Sequence, residues 1–174
     1  MLPPDPMTYS NKPTDSMFFS KRYDQASIAF QRAGLPREVD VCDAYLLREK
    51  ARSQPSTAGA PREKAFVDAA MAFDACAQAA PPKLEDERRA YYRNAGECFL
   101  EGHKPNKAGK SFVKAEEYTL AAHAYRKGGD FDEMVEVLRL YENSIDSKVV
   151  RRLTQVARMF YFKVSIAPHS GDAC

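Results

Sequence analysis

The sequence predicts an all-α protein, an irregular α-solenoid of helical hairpins, with a plain helical bundle as the alternative. Three observations support this class. Ala, Glu, Lys, Arg and Leu dominate while Trp is absent, a composition that favours helix over sheet. Apolar residues recur every three or four positions, and few segments alternate with period two. Prolines and glycines lie mainly between the apolar runs, where they end one helix or begin the next.

Length and charge narrow the classes of protein to consider. The 174 residues suit one domain or a short stack of repeats. A net charge of +2 is by itself too small to indicate a nucleic-acid or membrane partner. No apolar run approaches the roughly 18 to 20 residues that span a bilayer, and the start lacks the basic and apolar regions of a signal peptide. We therefore expect an intracellular protein, nuclear or cytoplasmic, without membrane contact.

The first half of the chain is predicted to hold short helices and one flexible linker. Residues 1–14 are rich in proline and are predicted to be disordered. Residues 17–23 are predicted to end one helix in a turn, so that the first hairpin is half missing. Arg48 is assigned to the polar back of its helix, and residues 53–60 form the linker. The helices are predicted at about residues 24–33, 36–52 and 61–79.

The second half is predicted to hold five further helices, at about residues 84–101, 106–116, 118–127, 130–141 and 146–163. Asn106 and Asp130 are the expected N-caps of two of them. In the last helix Phe160 and Tyr161 are assigned to the inward stripe. The helical repeats thus extend over residues 15–163, and residues 164–174 are predicted to fray.

A large-small-large pattern marks the hairpin from Tyr92 to Phe112, and parts of this pattern recur. Two antiparallel helices cross closely only where one presents a small residue to the other's aromatic ring. The second-helix signal begins at residues 26, 69, 108 and 134, and its intervals of 43, 39 and 26 residues bracket the roughly 34 residues of a tetratricopeptide repeat without matching them. The residues predicted to pack the repeats are Tyr92, Ala95, Gly96, Phe99, Ala108, Phe112, Ala69, Phe73, Ala26 and Phe30.

Three stretches carry a resemblance to a known family: Phe18–Ala26, Phe30–Gly34 and Val149–Lys163. Over about Phe18 to Lys163 the chain resembles the tetratricopeptide-like helical-repeat region of fungal UvrD-like helicases, which are similar to the animal tetratricopeptide and ankyrin repeat-containing protein family. The resemblance implies a region that follows an ATP-dependent helicase core and contains no catalytic residue. Because no G-x4-G-K-[ST] loop occurs, we expect a fragment or short paralogue that does not hydrolyse ATP.

No pattern of reactive side chains indicates catalysis, a cofactor or a metal. The closest metal-like spacing, Cys98-x4-His103, has no second pair to complete four ligands. The acidic clusters at residues 85–87 and 116–117 lie at helix ends, where capping explains them. The four cysteines are widely spaced, and reduced core thiols are their expected state. We therefore predict that this chain is not an enzyme and uses no cofactor.

Two basic stretches leave a second function open. The main prediction is a scaffold that binds a protein or the rest of a longer chain. The alternative is a nucleic-acid accessory module of a helicase that uses Lys104–Lys114 and Lys148–Lys163; a third interpretation is a solvated surface balanced by acidic residues of the preceding helix. Neither stretch interleaves aromatic residues with its basic residues on the exposed side, so base reading is not predicted. The candidate phosphate contacts are Lys104, Lys107, Lys110, Lys114, Arg151, Arg152 and Arg158.

Overall fold

Eight α-helices make up most of the chain that the structure describes. The computed structural model describes residues 13–166, with side chains from residue 22 to residue 165. Within those limits there is no β-strand, which confirms the predicted all-α class. The helices are α1 (Pro13–Arg32), α2 (Pro36–Ser53), α3 (Ala60–Ala79), α4 (Glu85–Glu101), α5 (Pro105–Lys114), α6 (Tyr118–Gly128), α7 (Phe131–Leu140) and α8 (Ser147–Ile166).

The ends of the described chain differ from the prediction. Helix α1 runs unbroken through residues 17–23, where a turn is predicted, because no Pro or Gly interrupts it between Thr14 and Ala33. Helix α8 continues to Ile166, three residues beyond its predicted end. The remaining parts of the predicted disordered start and frayed tail, residues 1–12 and 167–174, lie outside the described residues.

The two predicted N-caps are also corrected. Helix α5 begins at Pro105, so its N-cap is Lys104 and Asn106 lies inside the helix. Proline suits the first helical position because it has no N–H to leave unpaired there. Asp130 is the N-cap of α7, but its side chain makes no capping hydrogen bond.

Each helix packs mainly against the helices that precede and follow it in the sequence. The connections between α4, α5, α6 and α7 are only a few residues long, which makes neighbouring helices antiparallel. The start of α4 meets the end of α5, where Tyr92 packs with Ala115. In the same way the start of α6 meets the end of α7, where the rings of Tyr118 and Tyr141 stack with centroids 3.7 Å apart. Packing between sequential neighbours is the pattern of a helical solenoid.

Four connections share one backbone geometry, the Schellman motif. The residue just past the helix has a positive φ at Gly34 (68°), His103 (53°), Glu116 (60°) and Gly129 (80°). In each case the next N–H donates to the carbonyl five residues earlier, as from Lys104 to Phe99 at 2.8 Å and from Glu117 to Phe112 at 2.9 Å. These bonds satisfy carbonyl groups that the end of a helix leaves free. The last three of these turns are thirteen residues apart.

Helices α4 to α7 therefore repeat every thirteen residues. A Cβ atom added at Gly96 would lie 2.7 Å from Cε1 of Phe112, and one added at Gly109 would lie 2.6 Å from Cε1 of Tyr125. Both pairs are sixteen residues apart, and the second pair lies thirteen residues after the first. The predicted interval of 26 residues, from α5 to α7, is two units of thirteen. The interval of 39 residues also spans two helices, but it begins in the 20-residue helix α3, outside this repeat.

Candidate functional site

The residues predicted to pack the repeats form the interior of the stack, not an accessible site. Ala69, Phe73, Ala95, Ala108 and Phe112 are at most 1% exposed, and Tyr92 and Phe99 are 9% and 6% exposed. Gly96 is also buried, whereas Ala26 and Phe30 of α1 are only half-buried. The buried positions among them hold helices together and offer no surface to a ligand.

The lysines of α5 are partly engaged by neighbouring helices. The Nζ atom of Lys114 lies 4.9 Å from the ring centroid of Tyr92 and 3.7 Å from Oδ1 of Asp74 in α3. Lys107 places its Nζ atom 5.7 Å from the ring centroid of Phe99. All four lysines are nevertheless exposed. Two of the four candidate phosphate contacts on this helix therefore cover the aromatic residues of α4.

The basic residues of α8 lie together on its exposed side. With Val150 and Thr154 they line a groove of about 600 Å³. The charged residues of this groove are Lys148, Arg151, Arg152 and Arg158, and all four are exposed, as is Gln155. The structure thus brings the predicted residues Arg151, Arg152 and Arg158 into one surface and leaves the α5 lysines in another.

The arginines near this surface differ in their ion pairing from those earlier in the chain. Each of the seven arginines from Arg37 to Arg93 lies within 4.0 Å of a carboxylate. None of the five from Arg126 to Arg158 has a carboxylate within that distance among the described residues. The acidic residues of the preceding helix are predicted to balance these positive charges. Within the described residues they make no direct ion pair with these arginines.

Helix α6 borders the basic surface. The pKa of His123 is lowered, first by burial and then by the positive charges of Arg126 and Arg152. His123 therefore holds a proton less readily than an ordinary histidine. The two arginines belong to α6 and α8, so basic residues of both helices act on this side chain.

Exposed apolar side chains continue the same side of α8 toward its end. Met159 is 55% exposed and Phe162 is 67% exposed. Phe160 and Tyr161, which the sequence pattern assigns to the interior, are 38% and 39% exposed. They still contact α7, because Phe160 stacks on Phe131 at 4.0 Å and the Tyr161 hydroxyl donates a hydrogen bond to Asp132. The predicted inward position of Phe160 and Tyr161 is therefore only partly right, because each side chain contacts α7 but remains more than a third exposed.

A buried polar cluster between α2, α3 and α4 is not predicted from the sequence. Arg48, Glu49 and Asn94 are at most 8% exposed. Nη1 of Arg48 donates to Oδ1 of Asn94 at 2.9 Å, and the guanidinium carbon lies 4.8 Å and 5.5 Å from the ring centroids of Tyr45 and Phe73. Arg48 is predicted on the polar, exposed back of α2, and this prediction is wrong. Its guanidinium is buried and joins α2 to α4 beneath an aromatic ring of α3.

The signal for this burial lies in the spacing of α2. Arg48 stands between the buried residues Ala44 and Ala51, at the intervals of four and three that mark an inward face. Glu49 supports the cluster, since its Oε1 lies 3.5 Å from Nε of Arg48 and 3.1 Å from Nη1 of Arg52. The arrangement is a polar contact within the core and has no open space for a ligand.

The described thiols are buried and weakly acidic. Cys42, Cys76 and Cys98 are free, and burial raises the pKa of Cys76 to about 11 and that of Cys98 to about 12. A thiol with such a pKa is a poor nucleophile at neutral pH because the thiolate is the reactive form. No group of three or more potential ligand residues that could hold a metal occurs in the described part of the chain.

No protein-family model, curated protein or solved structure matches the chain. None of the helices between residues 13 and 166 is long and apolar enough to cross a membrane. Fold and surface together define the class as an all-α stack of antiparallel helices whose last described helix exposes a basic and apolar side.

Proposed function

We propose that the chain is a non-catalytic helical scaffold that binds a protein, or another part of a longer chain, on the exposed side of α8. The observation that carries the proposal is the set of α8 cations that have no carboxylate within 4.0 Å among the described residues, beside exposed Met159 and Phe162. Exposed apolar groups bordered by charge are typical of protein-binding surfaces. Arginine and aromatic residues also supply a large share of the binding energy at such surfaces.

The rest of the molecule supports a role as a rigid platform. Its core runs without interruption from α2 to α8. Its described thiols and its buried Arg48 are held in packing contacts, where none can act on a substrate. A stack of this kind keeps a binding face in a fixed position without itself performing chemistry.

The resemblance to UvrD-like helicases supports one form of this proposal, in which the partner is the rest of a longer chain. In that form the α8 face would rest on a helicase core, and the chain would contribute no catalytic residue to it.

A nucleic-acid accessory module is the second candidate, and the unpaired arginines of α8 favour it. Arginine binds phosphate through two parallel hydrogen bonds, and an exposed Phe162 could stack on a base. This candidate predicts binding that weakens steeply with salt, because each phosphate neutralised releases about one counterion. A flat salt response would exclude it.

Site-specific photo-crosslinking tests the proposed function. A photoreactive phenylalanine analogue replaces Gln155 on the α8 face, and Lys110 on α5 in a matched control. Both proteins are irradiated in an extract of the source cells, and the adducts are identified by mass spectrometry. We expect a single protein adduct at position 155 that is lost when Arg151 and Arg152 are changed to Glu. Adducts with nucleic acid alone, or no protein adduct at either position, would contradict a protein-binding scaffold.

A further inference from the structure

We infer that the exposed face of α8 is a seam for one helix of a partner protein, acidic along one half and apolar along the other. This inference rests on the proposed function and specifies the chemistry of the partner. Five exposed residues define the seam: Lys148, Arg152, Gln155, Met159 and Phe162.

The spacing of the seam residues suits a helix partner. They follow one another at intervals of four, three, four and three residues, the period of 3.5 that aligns side chains in a straight stripe. At 1.5 Å per residue the stripe is about 21 Å long. Leu153 and Ala157, which are 0% and 3% exposed, point to the opposite side of α8. The stripe therefore faces away from the stack.

The first half of the seam requires carboxylates. Lys148 and Arg152 occupy it and Arg151 flanks it, while Arg158 lies beside Met159. None of these side chains has an acidic partner within the described residues. Because the arginine guanidinium binds a carboxylate through two hydrogen bonds in fixed geometry, Asp or Glu at matching positions of the partner complements this half.

The second half requires apolar side chains. Met159 and Phe162 follow the cations along the same stripe. Methionine adapts its shape to many apolar surfaces, and an aromatic ring provides a large area at low entropic cost. Leu, Ile or Met at the facing positions of a partner helix would bury both.

The separation of the two halves favours a protein helix over nucleic acid. Surfaces that bind single strands set aromatic rings along the same groove as the cations, so that successive bases stack while the backbone is neutralised. The α8 groove that holds Lys148, Arg152 and Arg158 has no aromatic residue in its lining, and Met159 and Phe162 lie beyond that lining. A helix laid on this face also continues the mode of packing in the stack, in which each helix covers the one before it.

Synthetic peptides test the inference. Two 21-residue peptides on an Ala and Gln background carry Glu at the seam-facing positions of one half and Leu at those of the other half. The two peptides differ in the order of the halves, so that one fits a parallel and the other an antiparallel arrangement. Controls are a scrambled peptide, a peptide with Lys in place of Glu, and a 21-nucleotide single-stranded DNA. Fluorescence anisotropy with the full chain measures each affinity at low and at moderate salt.

We expect one order to bind at least tenfold more tightly than the scrambled and Lys peptides and more tightly than the DNA. Arg152→Glu should weaken that peptide at least tenfold and strengthen the Lys peptide. Phe162→Ser should weaken binding of that peptide by the same factor at low and at moderate salt. Lys110→Glu on α5 should not change its affinity. Circular dichroism of each variant confirms that the helices are retained.

Three outcomes would overturn the inference: no preference over the scrambled peptide, tighter binding of the DNA, or a homodimer by light scattering that Arg152→Glu dissociates. The last would show that a second copy covers the seam. If no peptide binds while position 155 still crosslinks to a protein, the helix seam is wrong and the scaffold function stands. Failure of both experiments would reject both proposals.

Discussion

The ring of Phe112 lies so close to Gly96 that a Cβ atom at position 96 would be 2.7 Å from Cε1 of the ring. Tyr125 covers Gly109 in the same way one unit later. Distances this short cannot be accommodated without movement of the ring or the helices. The two glycines are thus needed for space, and they fix how closely α4, α5 and α6 approach one another.

Enlarging Gly96 should loosen the middle of the stack. Gly96→Leu is expected to lower the free energy of unfolding by about 3 kcal/mol or more, because overpacking a closed contact exceeds the gain of up to about 1 kcal/mol from removing a helical glycine. Urea denaturation followed by circular dichroism measures the change. Ala90→Leu on the exposed side of α4 is the control and should alter stability by less than about 0.5 kcal/mol. An unchanged melting temperature for Gly96→Leu would show that Phe112 does not constrain this position.

Replacing His103 by Gly should stabilise the protein. His103 adopts a φ of 53° in the turn after α4, a conformation that costs a non-glycine residue about 1 kcal/mol. His103→Gly is therefore expected to raise the melting temperature by about 2 to 4 °C. Lys110→Gly, inside helix α5, should lower it by a similar amount because helical glycine is unfavourable. A lower melting temperature for His103→Gly would contradict the Schellman geometry at this turn.

Changing only one of Arg48 and Asn94 should lower the free energy of unfolding more than changing both together. Asn94→Leu leaves the buried guanidinium without the acceptor that now lies 2.9 Å from Nη1, at an expected cost of about 2 to 4 kcal/mol. Arg48→Met removes the charge and keeps a side chain of similar length. Chemical denaturation of both single variants and the double variant measures their coupling. We expect the double variant to be more stable than the sum of the single effects implies, and strictly additive effects would contradict the contact.

Raising the pH above 9 should destabilise the fold through its buried thiols. Burial raises the pKa of Cys98 from 9.0 to about 12, so between these values the unfolded chain releases a proton that the folded chain keeps. This contribution to stability is complete below pH 9 and is lost as the pH rises toward 12, by up to about 1.4 kcal/mol per pH unit. Urea midpoints at pH 8 and pH 10 measure the loss. Cys98→Ala should show a smaller difference between the two midpoints, and an equal difference would refute the assignment.

Local patterns predicted the helices and the tight crossing of Gly96 with Phe112, because neighbouring helices make these contacts. The spacing within α2 indicates an inward position for Arg48, but its polar partner Asn94 is 46 residues away, so a pattern within one helix did not reveal the contact. The thirteen-residue period was concealed because different residue types, His103, Glu116 and Gly129, adopt the same turn.

The exposed end of α8 escaped prediction for a geometric reason. Helix α7 has 10 residues and α8 has 20. The start of α7 reaches α8 at Phe160, where Phe131 stacks on it. The last turn of α8 therefore extends past its neighbour, and apolar residues there have no described helix to cover them. Periodicity locates an apolar stripe but not the length of the helix opposite it.

The thirteen-residue period of α4 to α7 is tested most directly by two deletions that both begin inside α5. Deleting residues 107–132 removes 26 residues and places Met134 at the position of Ala108 and Leu138 at that of Phe112. Deleting residues 109–132 removes 24 and shifts these side chains by two positions, about 200° around the helix.

Thermal unfolding followed by circular dichroism at 222 nm compares the two proteins. We predict a cooperative transition for the 26-residue deletion and none for the 24-residue deletion. Equal melting of the two, or a more stable 24-residue deletion, would contradict the thirteen-residue stack.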